Sequence, residues 1–234
     1  MLIKKRLNQQ EKQIEKQLHL HTQCKKPFVF RPIELGDGVV LDNLIIHPGV
    51  LWPMSSQRLA AFLYRHRRTF QDKTVIDIGS GSGLLGITAA LHGARHVIMS
   101  DITEEAYQNT LENVSRYGVS SKCDVRRGDL FENVPEIADI VIFSHPYFQG
   151  TPDPSLPFSY GMLDNGDLIH RFLAQSKSHF KDRVIMCYLD LAGDGNNPRI
   201  HAPEHGFKIT VHGPEQLSKG EQQGVFWVYE LTRP

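Results

Sequence analysis

Two short stretches of this 234-residue chain carry residues whose types and spacing suit chemistry. The first is Asp77-Ile78-Gly79-Ser80-Gly81-Ser82-Gly83-Leu84-Leu85-Gly86, which follows an apolar run and opens a helical pattern. Glycines let a backbone turn tightly and approach a ligand closely, and a helix start offers unpaired amides. A nucleotide-like cofactor is therefore expected across this loop. Asp101 ends the next apolar run roughly 20 residues on, where an acid can accept both hydroxyls of a ribose. The second stretch is Ser144-His145-Pro146-Tyr147, directly after Asp139-Ile140-Val141-Ile142-Phe143. Strand carboxyl ends are where doubly wound proteins work, so this loop is read as the reaction centre. Its histidine invites a general-base role, against the plainer reading that it occupies a turn.

These residues need a frame, and the pattern from Thr74 onward supplies one. Apolar runs at 75–78, 96–100, 122–126, 140–143 and 184–191 alternate with helical stretches at 84–91, 104–117 and 167–179. Strands apolar on both faces between helices predict a parallel sheet covered on both sides. Phe207 to Val211 and Val225 to Leu231 are separated only by a polar loop, which predicts an antiparallel pair. Upstream, Leu7, Ile14 and Leu18 mark a weak helical stripe on a polar background, read as a mobile arm. Phe28 to Leu35 and Val39 to Leu41 flank Gly36-Asp37-Gly38 as a hairpin. Ser55 or Ser56 is read as the cap of a helix ending in the basic cluster Arg65 to Arg68. The organisation expected is an extension over residues 1–48 and one α/β domain over 49–234.

Lys plus Arg and Asp plus Glu both count 26, so no whole-molecule field draws a polyanion. The basic residues Lys4, Lys5, Arg6, Lys12, Lys16, Lys25 and Lys26 are the only charge supporting a nucleic-acid partner, and such runs are more often a solvated face. Cys24, Cys123 and Cys187 are odd in number and widely separated, so reduced thiols and no metal site are expected. No apolar run has the length of a membrane span, and the N-terminus lacks a signal core, so no membrane partner and a cytoplasmic location are expected.

Gly81-x-Gly83-x-x-Gly86 also satisfies the dinucleotide fingerprint, which admits an NAD-type oxidoreductase. The longer string Val75 to Ile87, with Asp77 two residues before the first glycine, resembles the first motif of class I S-adenosylmethionine-dependent methyltransferases. Asp101 matches that family's ribose-binding acid, and Gly128-Asp129-Leu130 resembles its third motif, in which the acid caps the adenine amine. Ser144-His145-Pro146-Tyr147 resembles the Asn/Asp/Ser-Pro-Pro-Tyr/Phe motif of the group that methylates glutamine or base nitrogens, with histidine in place of the first proline. Gly49 to Ser56, including Trp52, resembles the segment crossing the cofactor's methionine end, a feature shared with seven-strand lysine methyltransferases.

The resemblance implies a Rossmann-like, mostly parallel seven-stranded sheet with an antiparallel C-terminal strand. It implies S-adenosyl-L-methionine as cofactor, held by Trp52, Asp77, Gly79, Ser80, Gly81, Gly83, Asp101, Asp129 and Leu130. Ser144, the His145 carbonyl, Pro146 and Tyr147 would orient the acceptor nitrogen of a protein side chain or an RNA base. The alternatives are a lysine-directed enzyme and a cofactor-binding scaffold without activity. For Asp77, a buried acid satisfied by loop amides is equally compatible with the fold.

Overall fold

The computed structural model describes residues 2–216 and 224–234, with side chains for 9–214 and 224–234. The chain opens with α1 (Leu2–Gln23), then β1 (Phe28–Val29), β2 (Ile33–Gly36), β3 (Val39–Leu41), β4 (Ile45–Ile46) and α2 (Ser56–Arg65). The alternating part runs β5 (Thr74–Ile78), α3 (Leu84–Leu91), β6 (His96–Asp101), α4 (Glu104–Arg116), β7 (Cys123–Arg127) and β8 (Ala138–Phe143). It continues through β9 (Phe148–Gln149), β10 (Leu163–Asp164), α5 (Asp167–Ser176), β11 (Phe180–Leu189), α6 (Pro198–Glu204), β12 (Lys208–Gln216) and β13 (Val225–Thr232).

Seven strands form one sheet in the order β12-β13-β11-β8-β5-β6-β7. All are parallel except β13, which runs antiparallel to both β11 and β12. The central strands are buried on both faces, Val75, Ile76, Val97, Met99, Val141 and Ile142 having no measurable exposure. Such strands persist only when helices cover both sides. Chain order reverses between β5 and β8, which lie side by side with Ile78 opposite Phe143. Their carboxyl ends therefore border a switch-point crevice, where this class of sheet binds ligands.

The structure departs from the sequence pattern in four places. β11 starts at Phe180 rather than near Val184, because Lys181 and Asp182 are exposed and hide the strand's period. The hairpin contains only β2 and β3, while Phe28-Val29 pairs instead with β4. Ser55 precedes α2 in helical conformation and makes no side-chain cap bond.

The fourth departure is the helix read as a mobile arm, which is docked. Ile14 and Leu18 pack on the core, Gln17 and His21 are buried, and Gln10 donates to the Leu191 carbonyl at 2.7 Å. The apolar stripe is weak because its polar members are buried too: His21 Nε2 accepts the Trp52 amide at 2.9 Å, and its ring stacks on Phe158. The side chains of Lys4, Lys5, Arg6 and Leu7 lie outside the described residues.

Candidate active site

The glycine loop leaves β5 with Gly79, Gly81 and Gly83 all at positive φ, a conformation that costs other residues energy. Neighbouring elements fix its path. Gly81 N–H donates to Asp101 Oδ2 at 2.9 Å, Ser80 N–H to the Ser100 carbonyl, and the Thr110 hydroxyl of α4 to the Gly81 carbonyl. Gly86 has an ordinary φ, and its constraint is packing: a Cβ there would lie 2.4 Å from Met99 Sδ.

Asp77 does not line the crevice. It is fully buried, accepts the Gly86 amide at 2.8 Å through Oδ2, and leaves Oδ1 without a partner. Burial raises its pKa to about 7, and the nearby Asp101 carboxylate adds to the shift. It acts as a brace between strand and helix.

A cavity of about 330 Å³ opens between the glycine loop and the loop after β8. Trp52, Gly79, Ser80, Gly81, Asp101, Asp129 and Leu130 line it, as do Ser144, His145, Pro146 and Tyr147. Asp77 and Gly83 do not, and both act from behind the wall. Leu130 has φ 51°, a rare conformation for a branched side chain and one that recurs at ligand clamps. Asp129 pairs with Arg171 from α5, which also lines the cavity.

The loop after β8 is tied to distant parts of the chain. Tyr147 Oη lies 2.9 Å from Cys187 Sγ and 3.4 Å from Ser144 Oγ. Burial pushes the Tyr147 pKa well above its ordinary value and that of Cys187 up to about 11, so both stay protonated at neutral pH. His145 is not a solvent-facing turn residue. It is 2% exposed, stacks on Tyr188, and donates from Nε2 to the Asn196 carbonyl at 2.7 Å. Burial lowers its pKa to about 4, which leaves a poor proton acceptor at neutral pH and removes the case for a general base. Asn196, fully buried, donates towards the carbonyls of Tyr147, Phe148 and Asp164 at 3.2–3.4 Å.

Sequence reasoning missed Asn196 and Cys187, whose proximity to the loop is purely tertiary. It also missed Gln17, which reaches the cavity from α1, although its spacing with Ile14, Leu18 and His21 was a usable signal.

The cavity fits a polar ligand. Among the described residues, Trp52 Nε1, Ser100 Oγ, His145 Nδ1 and Asp164 Oδ2 are buried side-chain atoms of lining residues without a hydrogen-bond partner. Unpaired buried groups are costly, and so many around one cavity point to groups supplied by a ligand. Each Asp101 oxygen already accepts from protein, yet a carboxylate has about four lone-pair sites and keeps capacity for hydroxyls.

The strand order, the single antiparallel strand and a glycine loop held by the acid that ends the neighbouring strand give a Rossmann-like methyltransferase fold, and the chain is an S-adenosylmethionine-dependent methyltransferase. A family model described as ribosomal protein L11 methyltransferase (PrmA) matches residues 61–144. A relative in Methanocaldococcus jannaschii, named "Putative protein N5-glutamine methyltransferase", is 28% identical over 175 residues, covering 72% of this chain and 86% of its own. The ribosomal protein uL3 glutamine methyltransferase of Bordetella pertussis is 31% identical over 132 residues, covering 51% of this chain and 44% of its own. The chain thus spans most of the first relative and under half of the second. In fold it is similar to the ribosomal protein L11 methylase of Lactobacillus delbrueckii subsp. bulgaricus, with a TM-score of 0.60 at 19% identity over 87% of this chain and 99% of that one. Among the described residues, no helix is long and apolar enough to cross a membrane.

Proposed function

We propose that the chain transfers a methyl group to a side-chain amide nitrogen of a protein, in the cytoplasm. The observation that carries this reading is the placement of the Ser144–Tyr147 loop beside the glycine loop, with unmatched acceptors on the shared wall. An amide NH₂ is planar and presents two donors, the partner that a buried, unpaired acceptor such as Asp164 Oδ2 requires. The glutamine-directed names of the two relatives support the same choice. A chain with balanced charge offers no comparable feature for RNA.

S-adenosylmethionine supplies a methyl group already activated on a sulfonium, so strong acid or base catalysis is not required. Trp52, the surface of the glycine loop at Gly79, Ser80 and Gly81, and the side chains of Asp101 and Asp129 would hold the cofactor, with Leu130 against it. Asp77 and Gly83 support that surface from behind. Ser144 and the His145 carbonyl would accept from the amide nitrogen and fix its orientation, Pro146 would stiffen the loop, and Tyr147 would pack on the amide plane. Orientation of this kind converts binding into rate.

The test is a ribosome-containing extract incubated with labelled S-adenosylmethionine, followed by separation of protein from RNA. Label is expected in protein, and label confined to RNA would overturn the amide assignment. Ser144→Ala should lower turnover by roughly 10- to 100-fold while cofactor affinity stays within a few-fold, the signature of a lost transition-state contact. Full turnover in both Ser144→Ala and Tyr147→Ala would remove this loop from the chemistry.

A further inference from the structure

Outside the cavity, three imidazoles and a carboxylate gather where α5 meets α6. One ligand atom each from His170, His201 and Glu204 lies within 4.8 Å of the others. His170 and His201 pack edge to face with ring centroids 4.7 Å apart, and His170 Nδ1 is 2.9 Å from His205 Nε2. The bonds from His201 to the Gly195 carbonyl and between His170 and His205 leave a lone pair on one nitrogen each of His170 and His201, within reach of the Glu204 carboxylate. Two imidazole lone pairs and a carboxylate gathered in this way are the donor set of a cation.

We propose that His170, His201 and Glu204 bind a divalent transition-metal cation of the zinc class. Imidazole nitrogens with one carboxylate oxygen are the donor set such ions prefer, and three protein ligands leave one tetrahedral position for water. His201 is prepared for the task. Its Nε2 donates to the Gly195 carbonyl at 2.8 Å, which leaves Nδ1 with its lone pair, 3.4 Å from Glu204 Oε2. Ligating histidines are commonly fixed through the other ring nitrogen in this way. His205 does the same for His170 by holding its Nδ1.

Tetrahedral ligands about 2.0–2.1 Å from zinc lie roughly 3.4 Å apart, so the shell closes by small side-chain rotations, chiefly of the exposed Glu204. The ion would clamp α5, whose Arg171 lines the methyl-transfer cavity, to α6. It would also fix Gly195, the neighbour of the Asn196 that holds the loop after β8. The site is separate from the cavity and does not depend on the substrate assigned above.

The experiment uses the full chain without a histidine tag, stripped with chelator and titrated with zinc chloride by calorimetry near neutral pH. One equivalent should bind at roughly micromolar affinity or tighter. The melting temperature should rise with zinc, and cobalt(II) should give a tetrahedral visible spectrum. His170→Ala and His201→Ala should each weaken zinc binding at least about 10-fold and abolish the cobalt spectrum, with a smaller loss in His205→Ala. Circular dichroism of the metal-free variants checks that they fold. Absence of stoichiometric zinc binding in the parent chain would overturn the site, as would unchanged binding in both folded variants.

Discussion

The loop after β5 is held by its own neighbourhood, through Asp101 at the end of the next strand and Thr110 on the next helix. The loop after β8 instead hangs on Cys187 of β11 and on Asn196 in the segment before α6. The two loops border one cavity from adjacent strands, yet one is anchored within the continuous stretch from β5 to α4 and the other across distant chain. Cofactor capture should therefore survive damage that disables methyl transfer. A locally built surface stays formed when a remote support is lost.

The sharpest way to break that comparison is Asn196→Ala. Removing its amide leaves the carbonyls of Tyr147, Phe148 and Asp164 without that donor, at a cost of about 3 kcal/mol in stability. Turnover should fall by about 100-fold or more, with cofactor affinity within a few-fold by calorimetry. An equal loss in both would mean that the loops do not behave independently.

The loops also differ in how they respond to pH. Asp77 has a folded pKa of about 7, above its unfolded value, so its contribution is complete below about pH 4 and is lost as pH rises towards 7. His145 has a folded pKa of about 4, below its ordinary value near 6.5, so its contribution is complete above that value and is lost as pH falls towards 4. Denaturant unfolding from pH 4 to 7 should show Asp77→Asn losing a term that favours the acid side, and His145→Gln losing one that favours the neutral side. Each term is on the order of 3 kcal/mol across the window, and parallel curves for the two variants would refute the opposition.

Asp101→Ala gives the smallest effect and the most local one. Cofactor binding should weaken by about 1.5–3 kcal/mol, the range for hydrogen bonds to a charged group, with folding retained. Unchanged cofactor affinity would make Asp101 a staple of the glycine loop and nothing more.

The same contrast explains what the sequence discloses. Gly79 to Gly86 and Asp101 were legible because their roles follow from local backbone rules and a fixed offset within one supersecondary unit. The parallel core and the antiparallel end were legible from apolar runs and one short connection. Asn196 was not, since a buried asparagine is distinguished only by the carbonyls that folding brings to it. His145 read as a turn residue or a base because sequence gives its type and not its burial. Asp77 is open in sequence to two readings, a cofactor ligand and a buried acid satisfied by loop amides, and its bond to the Gly86 amide matches the second.

The docked first helix bears on how the protein should be handled. A shortened version beginning after Gln23 would bare the bed under Ile14 and Leu18, remove the acceptor of the Trp52 amide, and leave one face of Phe158 uncovered. Trp52 and Phe158 both line the cavity, so trimming this segment to improve crystallisation would reshape the pocket that crystals were meant to reveal. An affinity handle is better placed at the other terminus.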